Sequence, residues 1–198
     1  MSRALDAFER CGAQAGARFR LEHASVIAPA DLPRFARLGV VASMQPVFIG
    51  EYSRWSKDRV GAARLPWVLP IRDLLATGAQ VAAGTDYPAS DSGDPIATLY
   101  CLVTRRSTAG EPPGGWQADQ RVDVDTALRL MTSAPAFAAF QEKRLGALVA
   151  GRDADFTVLS ADPYETPIED LRTLAVRMTV MAGQVRFGAR RETTPAGR

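Results

Sequence analysis

Two kinds of apolar spacing follow each other at the start of the chain. Residues 4–11 place apolar side chains three positions apart, which is typical of an amphipathic helix. Residues 17–24 instead alternate between apolar and polar, so that Phe19, Leu21 and His23 share one face. The pattern therefore predicts a helix followed by a strand that ends at His23.

Helix and strand signals continue to alternate downstream. Early prolines and a terminal glycine bound a predicted helix over residues 29–39, and the apolar residues 40–44 predict a short strand. After a long loop, residues 66–77 predict a helix and residues 80–86 a buried strand that ends at Asp86. Short apolar strands between helices are typical of a parallel sheet covered on both faces. The order of elements predicts an α/β fold.

The last quarter of the chain has a different pattern. Helices are predicted over residues 95–105 and 124–140, but from about residue 145 the strand-like segments have no long helices between them. We therefore expect a domain boundary near residue 143. It divides the chain into residues 1–142 and residues 143–198.

Three finer expectations concern this second half. Pro135 should break the second of the predicted helices, because proline removes a backbone donor. Gly183 and Gln184 are predicted to form the turn of a hairpin. Residues 190–198 have no strong pattern and are expected to fray.

Composition and charge exclude several classes of protein. The chain has 198 residues, of which 46% are apolar and 23% charged, as in globular proteins with one main domain. A net charge of +2 gives no support to binding of nucleic acid or of an anionic membrane. Neither a membrane-spanning segment nor a signal peptide is visible, so we expect a cytoplasmic protein. Two distant cysteines exclude a disulfide framework and a zinc ribbon.

Two polar residues at predicted strand ends are candidates for chemistry. His23 is the single histidine of the chain, and Asp86 ends a later strand. Since the carboxyl ends of parallel strands meet at one edge, the two side chains could share an opening and bind a divalent metal such as zinc. A structural role remains open for both, because a lone histidine often only donates hydrogen bonds and Asp86 could cap the next segment.

Other candidate sites are weaker. Residues 52–59 mix aromatic side chains with cations, and a solvated loop explains them better than RNA binding or a cover over a substrate opening. The glycine-rich residues 110–116 lack the lysine of a phosphate-binding loop. Ser90 and Ser92 have no second histidine as a base, which argues against a serine hydrolase.

Several segments, in order, resemble one known family. They are Arg-Leu-Glu-His-Ala at residues 20–24, Ala-Gly-Thr-Asp-Tyr-Pro at residues 83–88, and residues 145–163 with Gly-Arg-Asp-Ala-Asp-Phe-Thr-Val-Leu at their centre. These segments are similar to the C-terminal part of amidohydrolase family 3, the YtcJ-like metal-dependent hydrolases. The resemblance runs from about residue 3 to residue 188. It implies a partial TIM (β/α)8 barrel, strands six to eight with their helices, followed by the C-terminal part of a small β-sandwich domain.

The resemblance also implies roles for individual residues. His23 would be a metal ligand at the end of barrel strand six. Asp86, at the end of strand eight, would bind the metal and act as the catalytic proton shuttle. Gln45, after strand seven, would lie at the pocket rim as a substrate contact, although a simple turn residue is equally compatible with its position. The implied cofactor is a divalent metal, with Zn²⁺ expected, that polarises an amide-like carbonyl and activates water.

The family's other ligand segments have no counterpart in this sequence. The His-x-His pair of strand one and the His-Ala-x-Gly-Asp segment of strand five are missing, and two ligands are fewer than the three that a catalytic zinc needs. The resemblance therefore implies the C-terminal part of a metal-dependent amidohydrolase that hydrolyses carbon-nitrogen but not peptide bonds. We expect the chain alone to be incomplete and inactive.

The expected partners follow from this incompleteness. They are a small-molecule amide-like substrate and either an N-terminal half or further copies of the chain, because a half barrel exposes unpaired edge strands and an apolar interior. Two other functions stay open. The chain could be a catalytically inactive truncated remnant or interaction module, or else an unrelated α/β binding domain.

Overall fold

Three short parallel strands form the sheet that positions both candidate residues. In the computed structural model, which describes residues 1–90 and 92–188, the strands β1 (Arg20–Leu21), β2 (Val41–Met44) and β3 (Val81–Ala83) lie side by side in that order. The central strand β2 pairs in parallel with both neighbours. The carboxyl ends of the three strands therefore lie at one edge of the sheet.

Helices cover the sheet and connect its strands. They are α1 (Ser2–Arg10), α2 (Leu32–Leu38), α3 (Ile49–Val60), α4 (Ile71–Ala76), α5 (Pro95–Thr104), α6 (Val124–Met131) and α7 (Ser133–Ala138). Helix α5 begins where the Asp94 carboxylate accepts a hydrogen bond of 2.9 Å from the backbone N–H of Ile96, and all its residues after Pro95 are buried. The alternation of strands and helices confirms the α/β class.

The two faces of the parallel sheet have different neighbours. One face lies in the main hydrophobic core and carries Leu21, Ala42, Met44, Val81 and Ala83. The opposite face carries Arg20, Glu22, Val41, Ser43 and Ala82. On this face, Val41 and Ala82 contact Ala138 of α7, whereas Arg20 and Glu22 form an exposed ion pair. This second face is therefore partly polar.

A second sheet follows the helices. It contains β4 (Phe156–Leu159), β5 (Val176–Met181) and β6 (Gln184–Phe187), all antiparallel, with β5 in the centre. The segment between β4 and β5 buries Leu171 and Leu174 in the same core as the parallel sheet. The sandwich domain and the boundary near residue 143 stay predictions.

Several element boundaries differ from expectation. The long loop after β2 contains the helix α3, whose buried Ile49 and Ser56 are seven positions apart on one face. The helix is hard to recognise in the sequence, because one of its two buried positions is a polar serine and many of its other residues are charged. Strand β1 has only two residues, and it lies between two positions with left-handed backbone, Arg18 at φ 47° and His23 at φ 52°.

The two remaining differences lie at a helix break and a hairpin. The chain breaks between α6 and α7 at Thr132, and Pro135 lies in the first turn of α7, where its missing N–H would have no helical partner. The hairpin between β5 and β6 turns at Ala182 and Gly183, one residue earlier than predicted.

Two points concern the chain ends and the membrane. The expectation of a frayed tail over residues 190–198 lies outside the described residues. Within the described ranges, every helix is too short or too polar to cross a lipid bilayer.

Candidate functional site

The two candidate residues meet at the carboxyl edge of the parallel sheet. His23 follows β1 and Asp86 follows β3, and the Nε2 atom of His23 lies 3.4 Å from the Oδ2 atom of Asp86. The side chain of His23 is 50% exposed and that of Asp86 is 29% exposed, so solvent reaches both. The structure thus places an imidazole and a carboxylate in one accessible opening.

Both residues have an unusual backbone conformation. His23 has φ 52° and Asp86 has φ 61°, in the left-handed region that side chains with a Cβ atom rarely adopt. Local hydrogen bonds hold these turns. The N–H of Ser25 donates to the His23 carbonyl at 2.6 Å, and the N–H of Ala89 donates to the Asp86 carbonyl at 2.8 Å. Residues in strained backbone at a strand end are often functional.

The alternative that Asp86 caps the next helix does not match the structure. Helix α5 is capped by the side chain of Asp94. The turn after Asp86 is closed by its backbone carbonyl, which leaves the carboxylate directed at His23.

The spacing of this pair suits a shared metal ion, but the donor set is incomplete. Zinc lies about 2.1 Å from nitrogen and oxygen ligands, so neighbouring ligands of a tetrahedral site are about 3.4 Å apart. The observed separation of 3.4 Å between the two atoms matches this geometry. However, residues 1–90 and 92–188 contain no group of three or more His, Cys, Asp or Glu side chains that could hold a metal. The two residues fit part of a metal site.

The nearby carboxylate of Glu22 has partners of its own. Burial raises the pKa of Glu22, but hydrogen bonds from the Ser43 hydroxyl and Arg20 outweigh this effect, so its pKa lies below the ordinary value. Among the described residues, Glu22, His23 and Asp86 do not form a group of three side chains that could hold a metal ion.

Gln45 lies between the two candidate residues along the sheet edge. It follows the central strand β2, is only 5% exposed, and its Oε1 atom has no hydrogen-bond partner among the described residues. A buried acceptor without a donor costs free energy, and such groups often serve a ligand. This burial is unlike that of an ordinary surface turn residue.

Sequence reasoning assigned Tyr52 to a solvated loop and did not place Phe48 or Tyr52 beside His23. The ring of Phe48 is stacked on the imidazole of His23 with centroids 6.4 Å apart, and the ring of Tyr52 lies 5.9 Å beyond it. The available signal was the spacing of Phe48, Tyr52 and Trp55 at i, i+4 and i+7, which places them on one side of a helix. Assigning the region to a loop concealed this spacing.

The chain matches a known protein family. The model of the amidohydrolase family matches residues 1–187. The chain belongs to the amidohydrolase family. Two curated proteins are similar to this chain. The putative amidohydrolase YtcJ of Bacillus subtilis is 31% identical over 91% of the chain, and the N-substituted formamide deformylase of Arthrobacter pascens is 31% identical over 92% of the chain. The chain spans about a third of the length of these relatives, 34% in each case.

Solved structures have the same fold. A metal-dependent hydrolase of Pyrococcus horikoshii superimposes with a TM-score of 0.72 at 32% identity, over 84% of this chain and 32% of the other. An adenosine deaminase of Xanthomonas campestris, solved with bound zinc, gives a TM-score of 0.64 at 21% identity, over 93% of this chain and 40% of the other. At that identity the second match shows the fold alone.

An open groove of about 920 Å³ lies away from the sheet edge. Its walls come from α5, α6, β4, β5 and the segments beside them, and neither His23, Gln45 nor Asp86 lines it. The groove is mostly apolar, so it offers little chemistry.

Proposed function

We propose that this chain carries part of the metal site of a hydrolase that cleaves carbon-nitrogen bonds other than peptide bonds. The observation that carries the proposal is the 3.4 Å approach of His23 Nε2 and Asp86 Oδ2 at the sheet edge. Membership of the amidohydrolase family and similarity to a formamide deformylase support the reaction type. Similarity to a metal-dependent hydrolase supports a divalent metal, and Zn²⁺ is the expected ion.

Each residue would have a distinct role. A bound divalent metal would polarise the substrate carbonyl and activate water. His23 would hold the metal through Nε2. Asp86 would help to hold it, accept a proton from the attacking water and deliver that proton to the leaving nitrogen as the C–N bond breaks and the C–O bond forms. The products would be a carboxylic acid and an amine.

Gln45 would bind the substrate at the rim of this site. Its Oε1 atom has no hydrogen-bond donor among the described residues, and after the side chain turns toward the opening it would accept a hydrogen bond from the N–H group of an amide-like substrate. The proposed substrate class is therefore a small molecule with an amide-like carbon-nitrogen bond.

The proposed activity requires residues that this chain does not supply. Two protein ligands are fewer than the three usual for catalytic zinc, and the chain spans only 34% of its relatives. We propose that the missing ligands come from an N-terminal half or from further copies of the chain, in a cytoplasmic assembly. The three strands would then correspond to strands six to eight of a TIM barrel.

Metal analysis after mixing tests this proposal. The chain is combined with the N-terminal two thirds of a related enzyme, separated from free metal, and analysed for zinc by mass spectrometry. We expect stoichiometric zinc that is lost in Asp86→Asn and retained in Asp58→Asn, which changes an exposed carboxylate of α3. Equal zinc content in the two variants would contradict the assignment of Asp86.

One observation favours an inactive remnant or interaction module. The described residues contain no group of three or more metal-binding side chains. Absence of metal from the chain, both alone and in the mixture, would support this second function.

A further inference from the structure

A continuous row of rings leads from His23 along helix α3. The imidazole of His23 is stacked on Phe48 with an interplanar angle of 24°, and Phe48 is followed by Tyr52 at 5.9 Å. Trp55 lies edge-on to Tyr52, with centroids 5.0 Å apart. The spacing of three and four residues follows the helix, so the three rings lie along one side of α3, with Phe48 nearest to His23.

Phe48 differs from the aromatic residues of the core. The core formed by the described residues includes Tyr52 at its margin, but it does not include Phe48. Phe48 is half-buried, and its ring lies between the imidazole of His23 and the ring of Tyr52. The ring of Phe48 therefore packs between the candidate site, at His23, and helix α3, at Tyr52.

Tyr52 connects α3 to the turn that carries His23. Its hydroxyl donates a hydrogen bond of 3.2 Å to Oγ of Ser25, two residues after His23. The carbonyl of Ser25 accepts a hydrogen bond of 2.7 Å from the N–H of Leu69, so the turn is also held from the other side. These contacts hold the left-handed backbone of His23 in place.

We propose that Phe48 and Tyr52 are positioning residues that orient the imidazole of His23 toward Asp86. A half-exposed imidazole has several rotamers available, and only some of them direct Nε2 at the carboxylate. Phe48 restricts the ring through stacking, and Tyr52 restricts the backbone through Ser25. The inference rests on the proposed function only in treating His23 as a ligand.

Nuclear magnetic resonance tests the ring contact directly, because His23 is the single histidine and gives one set of imidazole signals. In the unchanged chain we expect ring-current shifts and nuclear Overhauser contacts between His23 and Phe48. Phe48→Leu should remove both, whereas Phe48→Tyr should restore them by returning a ring. Tyr52→Phe should alter the amide signals of Ser25 and broaden the imidazole signals.

Two control variants test whether the loss of any aromatic ring or any tyrosine hydroxyl changes the His23 signals. Phe187→Leu removes an exposed ring from β6, and Tyr164→Phe removes a hydroxyl that donates to Asp125 at 3.2 Å. Neither should change the His23 signals. Imidazole shifts and contacts that are the same in Phe48→Leu, Phe48→Tyr and the unchanged chain would overturn the inference.

Addition of Zn²⁺ to the isotope-labelled chain, mixed with the N-terminal two thirds of a related enzyme, separates this inference from the proposed function. If His23 is a ligand, zinc should shift its signals, and Phe48→Leu should weaken zinc binding about tenfold, as residues behind metal ligands usually do. Zinc that binds the chain and Phe48→Leu equally would overturn the positioning role. Imidazole signals of the unchanged chain that do not respond to zinc in this mixture would contradict the ligand role of His23, while loss of the ring contacts in Phe48→Leu would still support its orientation by Phe48.

Discussion

At the scale of single residues, a positive φ has a different consequence at the two candidate residues than at a glycine that ends a helix. His23 and Asp86 adopt positive φ although neither is a glycine, and both lie at the candidate site. Gly39 also adopts positive φ, at 63°, but it does so where it ends helix α2. The backbone of His23 and Asp86 is strained at the candidate site, whereas a glycine adopts the left-handed conformation at position 39 without strain.

Gly39→Ala should destabilise the chain more than an ordinary glycine substitution. A Cβ atom at position 39 would lie 2.1 Å from Cα of Ala15, so the segment before β1 would have to move. With the left-handed backbone strain added, we expect a loss of about 3 kcal/mol in the free energy of unfolding, measured by urea denaturation.

The control for this substitution is Gly78→Ala. Gly78 has φ 81°, but a Cβ atom there would meet nothing within 4 Å. Only backbone strain remains, so we expect a loss of about 1 kcal/mol. Equal losses at the two positions would contradict the steric explanation.

At the scale of elements, one arginine attaches helix α7 to the start of the parallel sheet. The guanidinium of Arg18 donates to the carbonyl of Phe137 at 2.7 Å and to both carboxylate oxygens of Glu142 at 2.9 and 2.6 Å. It also lies over the rings of Phe137 and Phe140, at 3.7 and 4.6 Å from their centroids. The chain before β1 is thereby joined to the segment that covers Val41.

This attachment should be lost in acid. Hydrogen bonds from Arg18, with a smaller contribution from the backbone at Glu142, lower the pKa of Glu142 to about 2 from its ordinary 4.5. A lowered pKa in the folded state stabilises the fold above the unfolded pKa, and this contribution is lost as the pH falls from 4.5 toward 2. Glu142→Gln should therefore be less stable than the unchanged chain near neutral pH, with a difference that shrinks through this window.

Urea denaturation at several pH values measures this difference. Glu51→Gln, which removes an exposed carboxylate from the first turn of α3, is the control and should leave the pH dependence unchanged. A stability difference for Glu142→Gln that stays constant from neutral pH to acid would show that the ion pair is not its cause.

At the scale of the whole molecule, exposed strand edges and apolar surface predict association. Among the described residues, β1 and β3 each pair on one side only. The groove between the helices and the second sheet is mostly apolar, and it includes Leu148 at 75% exposure and Met181 at 52%. Surfaces of this kind usually contact other chains.

The chain alone should therefore form oligomers or aggregates, which size-exclusion chromatography with light scattering would detect. Leu148→Lys should reduce association, because it adds a charge to the groove without removing a buried side chain. Gln184→Lys adds the same charge on the exposed hairpin and should have less effect. A monodisperse monomer that unfolds cooperatively would contradict the prediction.

The sequence by itself determined the alternation of most helices and strands, and it named the candidate residues. Hydrophobic spacing, glycine and proline act over a few residues, so the pattern correctly predicts α2, α5 and the strands that end near His23 and Asp86. The family resemblance, which also depends on short segments of sequence, is confirmed by the family model that matches residues 1–187.

Only the tertiary structure decided the distances and surroundings of these residues. Sequence placed His23 and Asp86 at one sheet edge, but their 3.4 Å separation depends on how β2 pairs with β1 and β3. Helix α3 was missed because its buried face includes Ser56, and the position of Phe48 beside His23 depends on how that helix packs. Contacts between residues far apart in the chain depend on packing, which local patterns do not encode.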